Sequence, residues 1–351
     1  MKKKIIALFL AAVCSMPLIA CKTATEEVMN SEVATEMSTE ETVEVSTEAT
    51  TVTESMDEST VEEVPSSEVE RVDYETPADM SDDMWSFQLA INGELYQFPM
   101  WYSEFEAKGW TYKGDKTTKL ASDQYLIREE WTKDGITVFT SIANLSMNTK
   151  DVTESAVSAI DVEDDSLNEL GWKVEMPGGI IFGVSTEEDV VAAYGKPDGS
   201  HEANWGSSVS YAQGWSENIG FCFDKETGVI TKISLENIVE MEGLDNSINP
   251  EVPDIVKEYV APTELGKDLY SFDVKIDENY YNFPCPVSEF LKNGYSLYES
   301  KGDSELGASD IGNVVFMYKG EGYKYQAANY ADYATTIDNC FIYNFDVSDF
   351  E

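Results

Sequence analysis

Met84-Trp-Ser-Phe-Gln-Leu-Ala-Ile-Asn-Gly-Glu-Leu-Tyr-Gln-Phe-Pro99 recurs 185 residues later as Leu269-Tyr-Ser-Phe-Asp-Val-Lys-Ile-Asp-Glu-Asn-Tyr-Tyr-Asn-Phe-Pro284. Ser103-Glu104-Phe105 with Gly109 follows in the first copy, and Ser288-Glu289-Phe290 with Gly294 in the second. Ten of the 27 positions in 84–110 are identical, where chance at about 6% per position gives one or two. The segment is therefore duplicated. The offset persists without a gap through Ala143-Asn144 against Ala328-Asn329 and Asp161-Val162 against Asp346-Val347, so the unit is the whole of 81–165, repeated as 267–351. Between the copies lie an unrelated segment, 166–240, and a linker, 241–266, with Pro250, Pro253 and Pro262. The order is A–B–A′.

In copy A, Trp85, Phe87, Leu89 and Ile91 alternate with polar or small residues, the period of a half-buried strand. Asn92-Gly93 is a hairpin signal, Leu95–Phe98 the returning strand, and Pro99 its end. Ser103 with Glu106 reads as the capping box of a short helix that Gly109 closes. Further strands are expected at 125–131, 136–143 and 156–162, the first two joined by Lys133-Asp134-Gly135. Copy A′ repeats the scheme at 314–319, 323–328 and 340–347. The expected fold class is α+β: small antiparallel-sheet modules with short helices, in which the aromatics shared by the two copies are core.

Segment B opens with Pro177-Gly178-Gly179. Ser185 and Glu188 then read as a capping box for a helix over 186–194, ended by Gly195, with strands at 209–213, 219–223 and 229–236. The wording from Gly183 through Tyr194-Gly195-Lys196-Pro197, followed by aromatic-bearing strands, resembles the helix-then-antiparallel-sheet units of the outer-membrane-assembly lipoproteins of the SmpA/OmlA type and of the β-lactamase inhibitor protein. Unit A is similar to those of uncharacterised exported lipoproteins of Gram-positive gut bacteria. The resemblance of segment B to the helix-and-sheet group implies a protein that acts by binding other proteins and is not an enzyme.

The first 80 residues read as an address. Lys2, Lys3 and Lys4 precede an apolar run over 5–20. At about 1.5 Å per residue that run falls short of a ~30 Å hydrocarbon core, so 1–20 is expected to be an export signal. Leu18-Ile19-Ala20-Cys21 resembles the lipobox of bacterial lipoproteins. That implies cleavage between Ala20 and Cys21, a diacylglycerol thioether on Cys21 (acylated, typically with palmitate) and a place on the outer face of the cytoplasmic membrane. Residues 22–80 hold 18 Ser and Thr and 18 acids against Lys22 and Arg71. Such a stretch cannot bury enough apolar surface to offset its chain entropy, so 21–80 is expected to be a disordered acidic tether.

Net charge is −44, from 67 acids and 23 bases; residues 81–351 carry 49 of the acids and 18 of the bases. A field of that sign repels phosphate backbones and argues against nucleic acid. One His, His201, leaves little room for His-dependent catalysis, and neither a phosphate loop nor a zinc spacing is present. No catalytic residue, metal site or cofactor beyond the lipid is expected. Cys285 and Cys340 stand where copy A has Met100 and Ser155, as a disulfide or as two buried thiols, and Cys222 reads as a small core residue. The acids at Asp161-Val162-Glu163-Asp164-Asp165 and Asp346-Val347-Ser348-Asp349 suit either Ca²⁺ or a solvated strand end. The expected function is non-enzymatic binding of an extracellular protein or cell-wall component. The alternative is carbohydrate capture by exposed aromatics, with Trp101, Trp205 and Trp215 as candidates.

Overall fold

A computed structural model describes residues 73–344. Ala20, Cys21, the export signal, most of the tether and Asp346–Asp349 lie outside the described residues.

Copy A contributes β1 (Gln88–Ile91), β2 (Glu94–Gln97), β3 (Met100–Trp101), α1 (Tyr102–Ala107), β4 (Thr111–Tyr112), β5 (Lys119–Leu120), β6 (Tyr125–Lys133), β7 (Ile136–Ala143), β8 (Lys150–Asp151) and β9 (Ala156–Val162). Segment B contributes α2 (Ser166–Glu169), β10 (Val174–Met176), β11 (Ile180–Ile181), α3 (Glu187–Tyr194), β12 (Gly199–Ala203), β13 (Gly206–Ala212), β14 (Glu217–Asp224) and β15 (Ile230–Asn237). After α4 (Asp254–Lys257), copy A′ supplies β16 (Asp273–Ile276), β17 (Asn279–Asn282), β18 (Cys285–Pro286), α5 (Val287–Lys292), β19 (Ser296–Leu297), β20 (Glu305–Leu306), β21 (Ile311–Tyr318), β22 (Glu321–Ala328), β23 (Thr335–Thr336) and β24 (Phe341–Asn344). Every strand ladder is antiparallel and the helices are short, so the fold is α+β, as expected.

Segment B is not a separate module. β15 pairs with β9 along Ile233↔Val162 to Glu236↔Ala159, which fuses the strands of A and B into one nine-stranded sheet. A second junction pairs β10 with β1 in a sheet of order β11-β10-β1-β2. One apolar core accordingly runs from Met84 to Leu235, with Phe105 packed on Trp110 and Trp131. The core of A′ is built around the matching Phe290, packed on Tyr281, Tyr295 and Phe316, and draws on Ile276 to Ile342. The repeated Ser-Glu-Phe thus supplies the aromatic hub of each copy.

Several local expectations shift. The alternation at Trp85 and Phe87 is not strand: Met84–Ser86 is a 3₁₀ turn, because Asp83 accepts the Trp85 N–H (3.0 Å) and Phe87 turns left-handed at φ 52°. Ser103 lies inside α1, whose first turn is tied by Glu104 accepting the Trp101 N–H at 3.2 Å. Helix α3 is capped one residue later than expected, by Thr186 with Asp189, while Ser185 Oγ accepts the Ile181 N–H. Both residue pairs fit the box spacing, but the Ser185 hydroxyl is taken by the Ile181 N–H, and it is the Thr186 hydroxyl that accepts the Asp189 N–H. β12 precedes the three strands expected of B.

The repeat also has a gap that identity alone conceals. β5 matches β20 at an offset of 186, as does Asp123 (φ 55°) with Ser309 (φ 56°), and a bulge at Arg128 in β6 restores 185. The repeated Ala-Asn is explained by a buried asparagine. Asn144 Nδ2 donates to the carbonyls of Leu120, Ala121 and Asn148, and Asn329 Nδ2 to those of Leu306, Gly307 and Tyr333. Each amide closes two loops that would otherwise bury unpaired carbonyls. The loops so closed meet across the A–A′ junction, where Ala308 N–H donates to Met147 O (2.7 Å) and Ser122 N–H to Ala308 O (3.1 Å). A Cβ on Gly307 would lie 2.3 Å from Ser122 Oγ, so only glycine admits that approach. The linker joins in: Asn148 Nδ2 donates to Asp245 O and Ser247 O, and Thr335 Oγ1 to Asn249 O.

Candidate functional site

The two hairpins β1–β2 and β16–β17 have one local geometry and opposite surroundings. Asp83 and Asp268 each cap a 3₁₀ turn, and Phe87 and Phe272 share a left-handed backbone (φ 52° and 54°). In copy A the side of β1 away from β2 carries β10, with Ala90↔Glu175 and Ile91↔Val174 as partners. The corner is clamped from both sides: Asn92 N–H donates to Lys173 O (2.8 Å) and Lys173 N–H to Asn92 Oδ1 (2.9 Å). Glu175, buried, takes the Thr76 hydroxyl (2.7 Å) and the Lys173 ammonium (2.8 Å). Thr76 and Tyr74, whose composition belongs to the tether, are therefore part of this seam, Tyr74 O accepting from Lys173 Nζ. All four residues of β1 are buried. So are Met84 and Phe87.

In copy A′, β16 pairs only with β17 among the described residues. Leu269, Tyr270 and Phe272, the counterparts of Met84, Trp85 and Phe87, are 89%, 79% and 60% exposed. The expectation that the shared aromatics are core holds in A and fails here. They are nonetheless held in place. Asp268 accepts the Tyr270 N–H (3.0 Å), and Asn282 Nδ2 donates to Ser271 O (2.6 Å) and Asp273 Oδ1 (2.8 Å). The Asn282 bond, with Ser271 and Gly266 behind it, holds the Asp273 carboxyl below its usual range. Asp277, which replaces the clamp residue Asn92, takes Lys319 Nζ (2.6 Å) and Tyr318 OH (2.8 Å), and the lysine first, then the tyrosine, lowers its pKa. Tyr259, from the linker, closes the far side by exchanging hydrogen bonds with the Asn282 backbone. An exposed apolar face on pinned backbone makes this the candidate site.

The residues singled out from the sequence fall elsewhere. Trp215 is fully exposed on the β13–β14 turn, whereas Trp101 and Trp205 are half-buried, so the three do not share one kind of surface. Cys285 and Cys340, the pair considered for a disulfide, are free buried thiols whose pKa values burial pushes up to about 12. Cys222 is a buried thiol in β14 outside any disulfide, and His201 is exposed on β12, two strands away. Of the acids at the end of β9, Asp161, Glu163 and Asp164 are engaged by other protein groups, and Asp165 is exposed. Lys232 of β15, 7% exposed, bonds Asp161 (2.8 Å) and Glu163 (2.9 Å), and Arg128 bonds Glu163 (2.6 Å). Burial opposes the charge on Lys232, but the two carboxylates outweigh it and raise its pKa. Asp164 accepts the N–H groups of Thr137 and Ser166. Among the described residues no group of three or more His, Cys, Asp or Glu is placed to hold a metal.

One concave feature lies in segment B, a cleft of about 570 Å³ between the start of α3 and the β12–β14 end. Two of its four acids are engaged within the protein, Glu187 by Ser207 Oγ (2.7 Å) and Asp224 by the N–H and hydroxyl of Thr227 (both 2.8 Å). The uncovered face of A′ could have been suspected from sequence. Gln88 and Ala90, buried in A, become Asp273 and Lys275 in A′ while Leu269, Tyr270 and Phe272 stay apolar. Among the described residues no helix is long and apolar enough to cross a membrane. No protein-family model, no curated protein and no solved structure matches the chain.

Proposed function

We propose that this chain is a membrane-anchored extracytoplasmic lipoprotein that acts without catalysis, by binding another protein through the uncovered face of copy A′. The anchor is the diacylglycerol on Cys21, at the outer face of the cytoplasmic membrane. The observation that carries the binding role is the contrast at one surface: Met84 and Phe87 are 8% and 3% exposed where segment B completes the core, and Leu269 and Phe272 are 89% and 60% exposed where no described residue covers them. Leaving that much apolar surface in water on a pinned turn has no benefit to the fold itself. The acidic field of A′, 15 acids against 6 bases in 267–351, disfavours nucleic acid and anionic lipid as partners.

The test is chemical cross-linking on intact cells with the lipidated chain and with a Leu269→Ser, Tyr270→Ser, Phe272→Ser variant. Loss of a reproducible cross-linked protein in the variant, with unchanged far-UV circular dichroism, is the expected result. Equal cross-linking in both chains overturns the reading. Glycan capture, the second reading, draws support from Trp215 alone, which stands fully in solvent; a glycan array insensitive to Trp215→Ala removes it.

A further inference from the structure

Resting on that reading, we infer that copy A′ takes an extended segment of its partner as an added antiparallel strand on the free side of β16, an apolar–acidic–apolar triplet whose acid lies opposite Lys275. Copy A contains the template. There β10 supplies Val174-Glu175-Met176, with Val174 opposite Ile91 and Glu175 opposite Ala90, and both apolar residues are at most 1% exposed. Moving this pairing by the repeat offset sets the triplet against Ile276 and Lys275.

The substitutions between copies then say which triplet fits. Glu175 is held in A by the hydroxyl of Thr76. At that place A′ has Ala261, so this support is gone, but Lys275 replaces Ala90 directly opposite and brings an ammonium instead. Lys275 now lies over the Tyr280 ring at 5.3 Å, on its own strand pair, in reach of a cross-strand acid. Asp277 keeps a side-chain oxygen where Asn92 receives the Lys173 N–H. Leu269, Tyr270 and Phe272 provide the apolar seat beside the edge, as Met84, Trp85 and Phe87 do in the core that B completes. Main-chain bonds along a strand edge give affinity and alternate side chains give selectivity.

The probe is a fluorescent peptide of this chain's own residues Trp172–Phe182, which contains the triplet, titrated into the full chain by anisotropy. Saturable binding is expected, weakened about tenfold by Lys275→Glu in the protein and regained when the peptide carries Glu175→Lys. That charge swap reports on one side-chain pair and is not reproduced by general unfolding. Absence of binding, or binding indifferent to Lys275→Glu with no regain by the swapped peptide, overturns the inference. So does self-association of the chain through this edge, seen as a dimer in light scattering that the Leu269→Ser, Tyr270→Ser, Phe272→Ser variant dissolves, since a second copy would then be the occupant. If the patch variant loses its cross-linked partner while the peptide neither binds nor competes, protein binding stands and strand addition falls. If neither experiment responds to the patch, both fall.

Discussion

Strand β1 buries all four of its residues and β16 only Ile276, yet the two hairpins share their caps, their left-handed phenylalanine and their corner residue at φ 51° and 53°. Local structure here is set by short-range chemistry: an aspartate cap, a hairpin corner, a proline at the end of the second strand. Burial is set by what the chain places alongside. In A that is segment B, through β10 on one sheet and β15 on the other. The same sequence pattern is therefore core in one copy and surface in the other. Buried core in A and exposed surface in A′ are one kind of apolar face in two contexts.

The sharpest test of this contrast is a matched pair of truncations. Phe87→Ala empties a site 3% exposed and should cost about 3–5 kcal/mol in urea unfolding. Phe272→Ala, at a site 60% exposed, should cost under about 1 kcal/mol. Because both residues have the same left-handed φ, the backbone part of the change cancels between them. Equal losses would mean that A′ is covered in solution. A smaller effect belongs to the A–B seam. Lys232→Ala removes the buried cation between Asp161 and Glu163 and leaves them only the more exposed Arg128, and because both carboxylates are about a quarter exposed we expect a loss of about 2 kcal/mol rather than the full buried-pair cost. High salt should shrink that loss, and a Lys232→Ala chain as stable as wild type would refute it.

Much of this fold is legible in the residues. The strands at Ile136–Ala143 and Ala156–Val162 have the bounds that alternation predicts, and Asn92-Gly93 and Asp134-Gly135 form the hairpin corners expected of them. The pairing of β15 with β9 is not legible, because a contact between residues some 70 positions apart leaves no local signature; only the charge of Lys232 against Asp161 and Glu163 hints at it. Trp85 and Phe87 mislead for a different reason: in the 3₁₀ turn the buried side chains are Met84 and Phe87, three residues apart, and Trp85 between them is only partly buried. The candidate site was hidden by the duplication that revealed the fold. Tyr270 and Phe272 look like core because Phe87 is buried and Trp85 packs against the core, and only Asp273 and Lys275 beside them carry the difference.

The junction between the copies yields a pH prediction. Burial, with the charge of Asp310 added, raises the Asp123 carboxyl from 3.8 to about 6, and burial raises Asp310 as well. A carboxyl whose pKa is higher in the folded state binds its proton more tightly there, so its stabilising contribution is full below about pH 4 and is lost as pH rises through about 6. Asp123→Asn keeps the neutral form at every pH, and asparagine accepts the left-handed backbone at this position (φ 55°). The variant should melt higher than wild type at pH 7 to 8 and coincide with it near pH 4. Using the difference between the two chains removes the general relief of acidic repulsion that both share. A gain that persists unchanged at pH 4 would place the effect elsewhere.

The least change is expected where the copies differ without consequence. Ser155 Oγ donates to Asp151 O at 3.1 Å, and at the matching place Cys340 Sγ approaches Thr336 O at 3.6 Å. Cys340→Ser should rebuild the hydrogen bond of copy A. A net gain of about 1 kcal/mol from a well-made bond offsets the loss of the more apolar sulfur, so urea midpoints should differ by less than about 1 kcal/mol. With its thiol pushed up to about 12, Cys340 should also resist alkylation at pH 8 until the chain is unfolded. A loss above about 2 kcal/mol on Cys340→Ser would show that the two sites are not interchangeable. The thiol would then contribute to the A′ core in a way that serine, buried at the same position in A, cannot replace.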